Sequence, residues 1–238
     1  PNAENIVRVI GVFDNNGTVE KGVSFPAPLA KAMKEEFPEV EAAGRLMPNT
    51  LFAGAGSNQL RRIDQQENTY EEGFSFADQE LLDILQIKMV YGDRKKALAE
   101  PFSMVISKSK ADKYFPNQDP VGQLMYFNNG TNQPIKIGGV MEDFPATSHL
   151  QYNFLISLTG VKFWEGEQET WQASNYSVYL SLKPGTDLAA FEKKATKTII
   201  HNYVVPVMKQ AGSSEIDLVV KSSSIKVQPI TDIHLKSH

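Results

Sequence analysis

The sequence contains no cysteine, and this absence excludes several kinds of chemistry. A chain without thiols cannot form disulfide bonds, offer a thiolate nucleophile or bind zinc or an iron–sulfur cluster through cysteine. It also lacks an apolar run of the roughly 18 to 20 residues that a membrane-spanning helix requires. Because the sequence opens with Pro1 and not with methionine, we expect that an upstream signal peptide or membrane helix has been removed.

The sequence also has no excess of positively charged residues. The chain has 24 Lys and Arg residues against 28 Asp and Glu residues, which gives a formal net charge of −4. Such a surface offers no basic footprint for a phosphate backbone, so we do not expect nucleic acid as a partner. With 238 residues, 41% of them hydrophobic, the chain can build one large domain or two small ones.

Sequence motifs for metal binding, nucleotide binding and nucleophilic catalysis do not occur. The four histidines are not spaced to place two imidazoles on one helix face; they are His149, His201, His234 and His238. Gly54-Ala55-Gly56 completes no glycine-rich nucleotide motif, and we interpret it as a flexible loop. We therefore expect no catalytic residue, no cofactor and no metal site, although a hydrolase triad assembled by folding stays open.

Several acidic neighbours could in principle form carboxylate pairs for glycoside chemistry. They are Glu71-Glu72, Asp78, Glu80, Glu165, Glu167 and Glu169. Each lies in a polar stretch, where solvation accounts for the charge, so we expect these side chains to face water.

Both ends of the sequence predict a β-α-β unit. "NIVRVIGVF" reads as a strand followed by the hairpin pair Asn16-Gly17, a helix follows in "PAPLAKAMKEEF", and "EVEAAGRLMP" predicts another strand. Near the C-terminus, "SNYSVYLSLK" predicts a strand and residues 188–199 predict an amphipathic helix, before "IDLVV" and "SIKVQPI", which read as strands. The fold class is therefore α+β.

Residues 56 to 151 differ from both ends in their predicted secondary structure, which consists of short strands and two short helices. The segment begins with a polar antiparallel ribbon and ends with two strands around Asn129-Gly130, a strong hairpin signal. We predict a split β-α-β domain, residues 1–55 and 152–238, with a mostly β insertion over residues 56–151.

Two stretches are candidates for function. Phe163, Trp164 and Trp171 flank an acidic patch, where exposed rings could contact a ligand or partner protein, although a core role is the alternative. The stretch "EDFPATSH" resembles a metal or acid–base site, but Phe144-Pro145 predicts a strand break after Val140 or Met141. We expect Ser148 and His149 to begin the next strand, with Tyr152, Phe154 and Ile156 on one of its faces.

Six segments, in this order, resemble the MacB-like periplasmic core domain of FtsX-like ABC transporter permeases, in particular the versions common in Bacteroidetes. They are "FPAPLAKAMKEEFPEVEAAGRL", "EEGFSFADQELLDIL", "LAEPFSMVISKSKADKYFPNQDPVGQLM", "IGGVMEDFPATSHLQYNFLISL", "YLSLKPGTDLAAFEKK" and "VQPITDIHLKS". The most specific parts lie at Ser107 to Gly122, Asp143 to His149 and Gln228 to Leu235.

The resemblance implies a porter-like subdomain from both chain ends, residues 1–55 and 152–238, and an inserted sabre-like subdomain, residues 56–151. It also implies a periplasmic domain between two transmembrane helices of an inner-membrane protein. Such a domain is non-catalytic and transmits motion that ATP hydrolysis drives on a separate subunit or domain. The implied partners are an ABC ATPase, a second permease copy and a periplasmic adaptor or lipoprotein. The alternative is a free-standing extracytoplasmic module that binds a ligand through the 163–171 loop.

Overall fold

The computed structural model describes residues 3–48 and 58–233, so Gly54-Ala55-Gly56, His234 and His238 lie outside the described residues. The chain divides into two compact units. We call residues 1–45 with 162–238 the terminal unit and residues 46–161 the central unit. The predicted porter-like and sabre-like subdomains, with boundaries near residues 55 and 152, stay a prediction.

After a 3₁₀ turn at Ala3–Asn5, the strands and helices follow one another as a mixed α and β chain, in agreement with the predicted α+β class. Their bounds, in chain order, are β1 (Ile6–Asn15), β2 (Thr18–Gly22), α1 (Leu29–Glu36), β3 (Val40–Pro48), β4 (Asn58–Arg62), β5 (Thr69–Glu71), β6 (Phe74–Ala77), α2 (Glu80–Ile84), β7 (Met89–Tyr91), β8 (Ser103–Ser107), α3 (Lys108–Tyr114), β9 (Leu124–Phe127), β10 (Ile135–Met141), β11 (Phe154–Ser157), β12 (Ser177–Leu182), α4 (Leu188–Ile199), a π-helical turn (Ile200–Val204), α5 (Val205–Gln210), α6 (Ile216–Ser222), β13 (Ser223–Pro229) and α7 (Ile230–Ile233).

The terminal unit contains strands in the order β13-β1-β12-β3, with β2 also paired to β1. Both partners of β1 in this order, β12 and β13, are antiparallel to it. Side chains from β1, α1 and α4 form one core, in which Phe37 and Phe191 meet edge to face with ring centroids 5.5 Å apart. Full burial of each such ring contributes about 1.5–3 kcal/mol, so this core stabilises the unit.

Two local signals set the bounds of elements in the terminal unit, and the predicted Asn16-Gly17 hairpin is confirmed. Asn16 and Gly17 have φ angles of 53° and 92°, the left-handed values that a tight two-residue hairpin requires, and they join β1 to β2. The Asp187 side chain accepts a hydrogen bond of 3.1 Å from the Ala190 amide and so caps α4. These side chains fix where the strand turns and where the helix begins.

The predicted strand "IDLVV" is wrong, because residues Ile216–Ser222 form helix α6. Its apolar side chains are half-buried or exposed, and none is fully buried. Short apolar runs carry no periodicity that separates a helix from a strand. In the fold this helix packs against both β1 and the preceding helix α5.

The central unit contains the end of β3 (residues 46–48) followed by strands in the order β6-β11-β8-β10-β9-β4-β5, with β7 also paired to β10. The β6–β11 and β8–β10 pairs are parallel. Phe74 and Phe154 stack in its core with ring centroids 4.2 Å apart. The predicted hairpin around Asn129-Gly130 is confirmed by the antiparallel β9–β10 pair.

The strand before "EDFPATSH" ends at Met141, as predicted, but the expectation that the next strand begins at Ser148 and His149 is wrong. Strand β11 begins at Phe154. The Ser148 amide donates to the Pro145 carbonyl, and the Ser148 hydroxyl accepts from the Leu150 amide at 3.1 Å. These local bonds make a turn and keep the segment out of the sheet.

Candidate interaction site in the 163–171 loop

The loop that contains Phe163, Trp164 and Trp171 belongs to the terminal unit and is folded as a compact turn. The Glu167 amide donates to the Trp164 carbonyl, and the Thr170 amide donates to the Gly166 carbonyl. Gly166 has a φ of 77°, which the turn requires and which other residues adopt at a cost. The loop therefore has a defined conformation.

The three predicted aromatic residues have different environments. Trp164 is 40% exposed and offers an apolar ring to solvent, whereas Phe163 is half-buried. Trp171 packs against the core of the terminal unit and stacks on Tyr203, with ring centroids 4.7 Å apart and planes at 25°. Trp164 is thus the ring best placed for an external contact, while Trp171 contributes to packing.

Tyr203 extends this contact to helix α1. Its hydroxyl donates a hydrogen bond of 2.5 Å to a carboxylate oxygen of Glu36. That hydrogen bond and partial burial raise the pKa of the Tyr203 hydroxyl to about 12, so it remains a donor at neutral pH. The stacked Trp171 ring is therefore held through Tyr203 by an element far away in sequence.

Glu167 is buried, which corrects the expectation that it faces water. The Tyr176 hydroxyl donates to one of its carboxylate oxygens at 2.5 Å, and the Gln168 side-chain amide donates to the other. Arg45 donates to the Gln168 side-chain oxygen at 2.7 Å, and its guanidinium lies 4.9 Å from the centre of the Tyr176 ring. Burial and the hydrogen bond to Glu167 raise the pKa of Tyr176 above its ordinary value.

This cluster ties the loop to β3 and to the start of β12, so it gives the candidate site a rigid base. Sequence reasoning missed it, because the alternation of Glu165, Glu167 and Glu169 with polar residues looks like a solvated charge run. No local signal in the sequence identifies Glu167. It is the buried residue within an otherwise exposed acidic patch, and this burial becomes visible only after folding.

A second buried carboxylate, Glu71, lies in the central unit, and it too was expected to face water. Lys110 and Lys113 donate to its two oxygens at 2.5 and 2.6 Å, and the Tyr114 hydroxyl donates at 2.7 Å. Burial alone would raise the pKa of the Glu71 carboxyl, but the three hydrogen bonds outweigh burial and hold the pKa below its ordinary value. All oxygens are satisfied within the protein.

The segments that carry the family resemblance build turns and contacts of this kind. Lys113 and Tyr114, within the Ser107 to Gly122 block, bind Glu71. In the Asp143 to His149 block, Asp143 accepts a hydrogen bond of 2.7 Å from the Ser109 hydroxyl, at the first turn of α3. Asp143 therefore joins the segment after β10 to the start of α3, where a carboxylate is favoured.

In residues 3–48 and 58–233, no three His, Cys, Asp or Glu side chains lie close enough together to hold a metal ion. Within these same ranges, no helix is both long enough and apolar enough to cross a bilayer.

Comparison with solved structures places the fold among periplasmic and extracellular domains. A domain assigned to a permease protein from Porphyromonas gingivalis aligns with a TM-score of 0.70 at 22% identity, covering 96% of this chain and 92% of that one. The periplasmic region of MacB from Actinobacillus actinomycetemcomitans aligns with a TM-score of 0.55 at 12% identity, covering 95% and 91%. The extracellular domain of the ABC-type transporter YknZ from Gram-positive bacteria gives 0.55 at 13%, covering 94% and 100%.

A search of curated proteins found no significant match. The family model of the MacB-like periplasmic core domain, in contrast, matches residues 1–198, most of the chain. This match confirms the resemblance inferred from the sequence and assigns a periplasmic location. The chain therefore belongs to the MacB-like periplasmic core domain family and is a periplasmic domain of the kind found in ABC transporter permeases.

Proposed function

We propose that this domain is a non-catalytic coupling module of an FtsX-like permease. ATP hydrolysis takes place on a separate cytoplasmic subunit or domain and moves the transmembrane helices. The periplasmic domain converts that motion into displacement of a substrate or partner protein. Its partners are an ABC ATPase, reached through the membrane part, a second permease copy, and a periplasmic adaptor or lipoprotein.

The observation that carries the proposal is the pairing of β1 with β13. Seven successive residue pairs join the two strands, from Val7 with Pro229 to Phe13 with Ser223. Strands from opposite ends of the chain thus lie side by side in one sheet. If each strand continues toward a membrane helix, a shift of either helix acts on the same rigid element and rotates the unit as a body.

Mechanical coupling also requires that the units do not deform under load. The terminal unit has a continuous core from β1 through α1 and α4, and the loop with the exposed Trp164 is fixed to it by the buried Glu167. Packed interiors of this kind transmit displacement because they are nearly incompressible. The contacts support a rigid lever that carries a partner surface.

The proposal is tested in the intact permease with its ATPase by inserting six Gly and Ser residues directly after Ile233, which follows β13. A flexible linker at this position should abolish transport while the domain stays folded and the ATPase keeps working. The matched control is the same insertion after Gly212, in the exposed turn between α5 and α6. Undiminished transport with the linker after Ile233 would contradict a coupling role.

The second candidate function is a free-standing extracytoplasmic module that binds a ligand through the 163–171 loop. The observation in its favour is the 40% exposure of Trp164 on a loop with a defined conformation. A rigid exposed indole is the kind of side chain that anchors sugars and peptides. A thermal-shift screen with sugars and peptides supports this candidate if a saturable shift occurs and both Trp164→Ala and Trp171→Ala abolish it.

A further inference from the structure

The terminal unit contains a cavity of about 570 Å³ that the coupling function does not use. One side is formed by β1, β2 and β13, and the other by the end of α4 and the π-helical turn that follows it. Phe25 and Trp171 also line it. The volume falls in the range of about 300–1,000 Å³ that small-molecule sites occupy, and the lining is mainly apolar.

On the sheet side, the cavity is lined by two glycines that pair with each other. Gly11 of β1 pairs directly with Gly22 of β2, and on its other side Gly11 pairs with Ile225 of β13. Paired residues share a face, and Ile225 belongs to the core, so both glycines lie on the inner face. The Phe25 ring covers the Gly11 position, 3.5 Å from where a Cβ would lie, whereas the Gly22 position is open. A Cβ added at Gly22 would have no heavy atom within 4 Å.

The opposite wall is built by the π-helical turn Ile200–Val204. Such a turn is rare inside helices and is frequently found at functional sites, since its extra residue changes the direction in which side chains point. Here Ile200 and Val204 line the cavity while Tyr203 stacks on Trp171. The turn thus supplies apolar lining and fixes the Trp171 ring at the same time.

The rim of the cavity is polar and carries a carboxylate. Glu20 pairs with Phe13, and alternation along β2 places it on the same face as Gly22. Lys21 also lines the cavity, but the same alternation directs its side chain to the opposite face of β2. Glu20 is exposed, and among residues 3–48 and 58–233 it has no ion-pair partner. Ser24 and Ser174 add hydroxyl groups at the cavity lining.

From this geometry we propose that the cavity binds one small amphiphile, with its hydrocarbon or aromatic body between the Gly11–Gly22 pair and the π-helical turn and a cationic end at Glu20. The apolar lining selects the body, and the unpaired carboxylate at the rim selects the positive end. This inference does not depend on the coupling function, because it concerns the terminal unit alone.

The test measures binding of dodecyltrimethylammonium to the 238-residue chain below its micellar concentration, by fluorescence of Trp171 in a Trp164→Phe background. We expect saturable binding, at least about tenfold weaker binding of dodecyl sulfate, and about two- to fivefold weaker binding of the cation to Glu20→Gln, the range of an exposed ion pair. Glu72→Gln is the matched charge control, because Glu72 is exposed and does not line the cavity, and it should not weaken binding of the cation.

Gly22→Leu tests the location, because its side chain should fill the cavity without strain and should weaken binding at least about tenfold. Val204→Phe fills the cavity from the opposite wall and gives an independent reading if Gly22→Leu does not fold. The proposal is overturned if the amphiphile does not bind saturably, if the folded filling variants bind as well as the parent chain, or if dodecyl sulfate binds equally well. These outcomes leave the coupling proposal untouched, since it is tested by transport in the intact permease.

Discussion

The Arg8 guanidinium donates a hydrogen bond of 2.8 Å to the side-chain oxygen of Gln228, and the two residues are 220 positions apart in the sequence. The bond lies on the strand pair β1–β13, where these residues are direct partners. Two ends of the chain are therefore held in register at one place in the terminal unit. This relationship supports the proposal that the domain is moved from both ends as one body.

Replacing Glu71 with Gln should destabilise the chain by about 2 kcal/mol. The carboxylate is 3% exposed and accepts from two lysines and Tyr114, so the amide would leave buried donors without adequate acceptors. Urea unfolding followed by circular dichroism measures the change. Glu72→Gln is the matched control, because Glu72 is exposed and its replacement should change the free energy of unfolding by less than about 0.5 kcal/mol. Equal effects of the two substitutions would contradict the assigned role of Glu71.

The same carboxylate predicts a pH dependence of stability. Its pKa is held below the ordinary value of 4.5, so the unfolded chain binds a proton at this site more readily than the folded chain. The stabilisation is present above pH 4.5 and is lost as the pH falls through the lower folded value. Between pH 6 and 3, the parent chain should therefore lose more unfolding free energy than Glu71→Gln. Parallel pH profiles of the two proteins would be inconsistent with this account.

The two tryptophans should respond differently to truncation. Trp171→Ala removes a ring that packs on the core and stacks on Tyr203, and we expect a loss of about 2–3 kcal/mol. Trp164→Ala removes a ring that is 40% exposed and should cost less than about 1 kcal/mol. Thermal and urea unfolding of both variants give the comparison. If Trp164→Ala proved the more destabilising, the exposed ring could not be regarded as available for a partner.

Gly138 of β10 should tolerate no side chain. A Cβ at this position would lie 1.9 Å from the Ala97 carbonyl oxygen, which belongs to the backbone and cannot rotate away. Gly138→Ala should therefore cost about 3 kcal/mol or prevent folding. Gly22→Ala serves as the control, because the space around it is open and its stability should stay close to that of the parent chain. A stable Gly138→Ala protein would show that the 97–138 contact is looser than described.

Strands, hairpins and the helices with a clear apolar stripe were predictable from sequence, because their signals are local. The pair Asn16-Gly17 favours a tight hairpin turn through its own backbone preferences. The spacing of Leu29, Met33 and Phe37 defines the buried face of α1. The family could be identified for a related reason, since its blocks consist of turn and packing residues such as Tyr114 and Asp143.

The features that could not be predicted from the sequence depend on contacts between residues that are far apart in the chain. Helix α6 was predicted as a strand because its short apolar run has no clear periodicity and does not show that it packs against β1 and α5. Glu71 and Glu167 were taken for surface charges because their partners, Lys110 and Tyr176 among them, become neighbours only in the fold. The cavity beside Trp171 is lined by two paired glycines from adjacent strands, and this pairing cannot be recognised from either segment alone.

The most direct test of the coupling role is a distance measurement between the two permease copies of the assembled transporter. Since this chain has no cysteine, a spin label on Lys193→Cys or Lys197→Cys, both on the exposed side of α4, reports the position of the terminal unit in each copy. Pulsed electron paramagnetic resonance should show that the inter-copy distance changes between the nucleotide-free and ATP-bound states and returns after hydrolysis. Identical distance distributions in all three states would contradict the claim that this domain transmits motion.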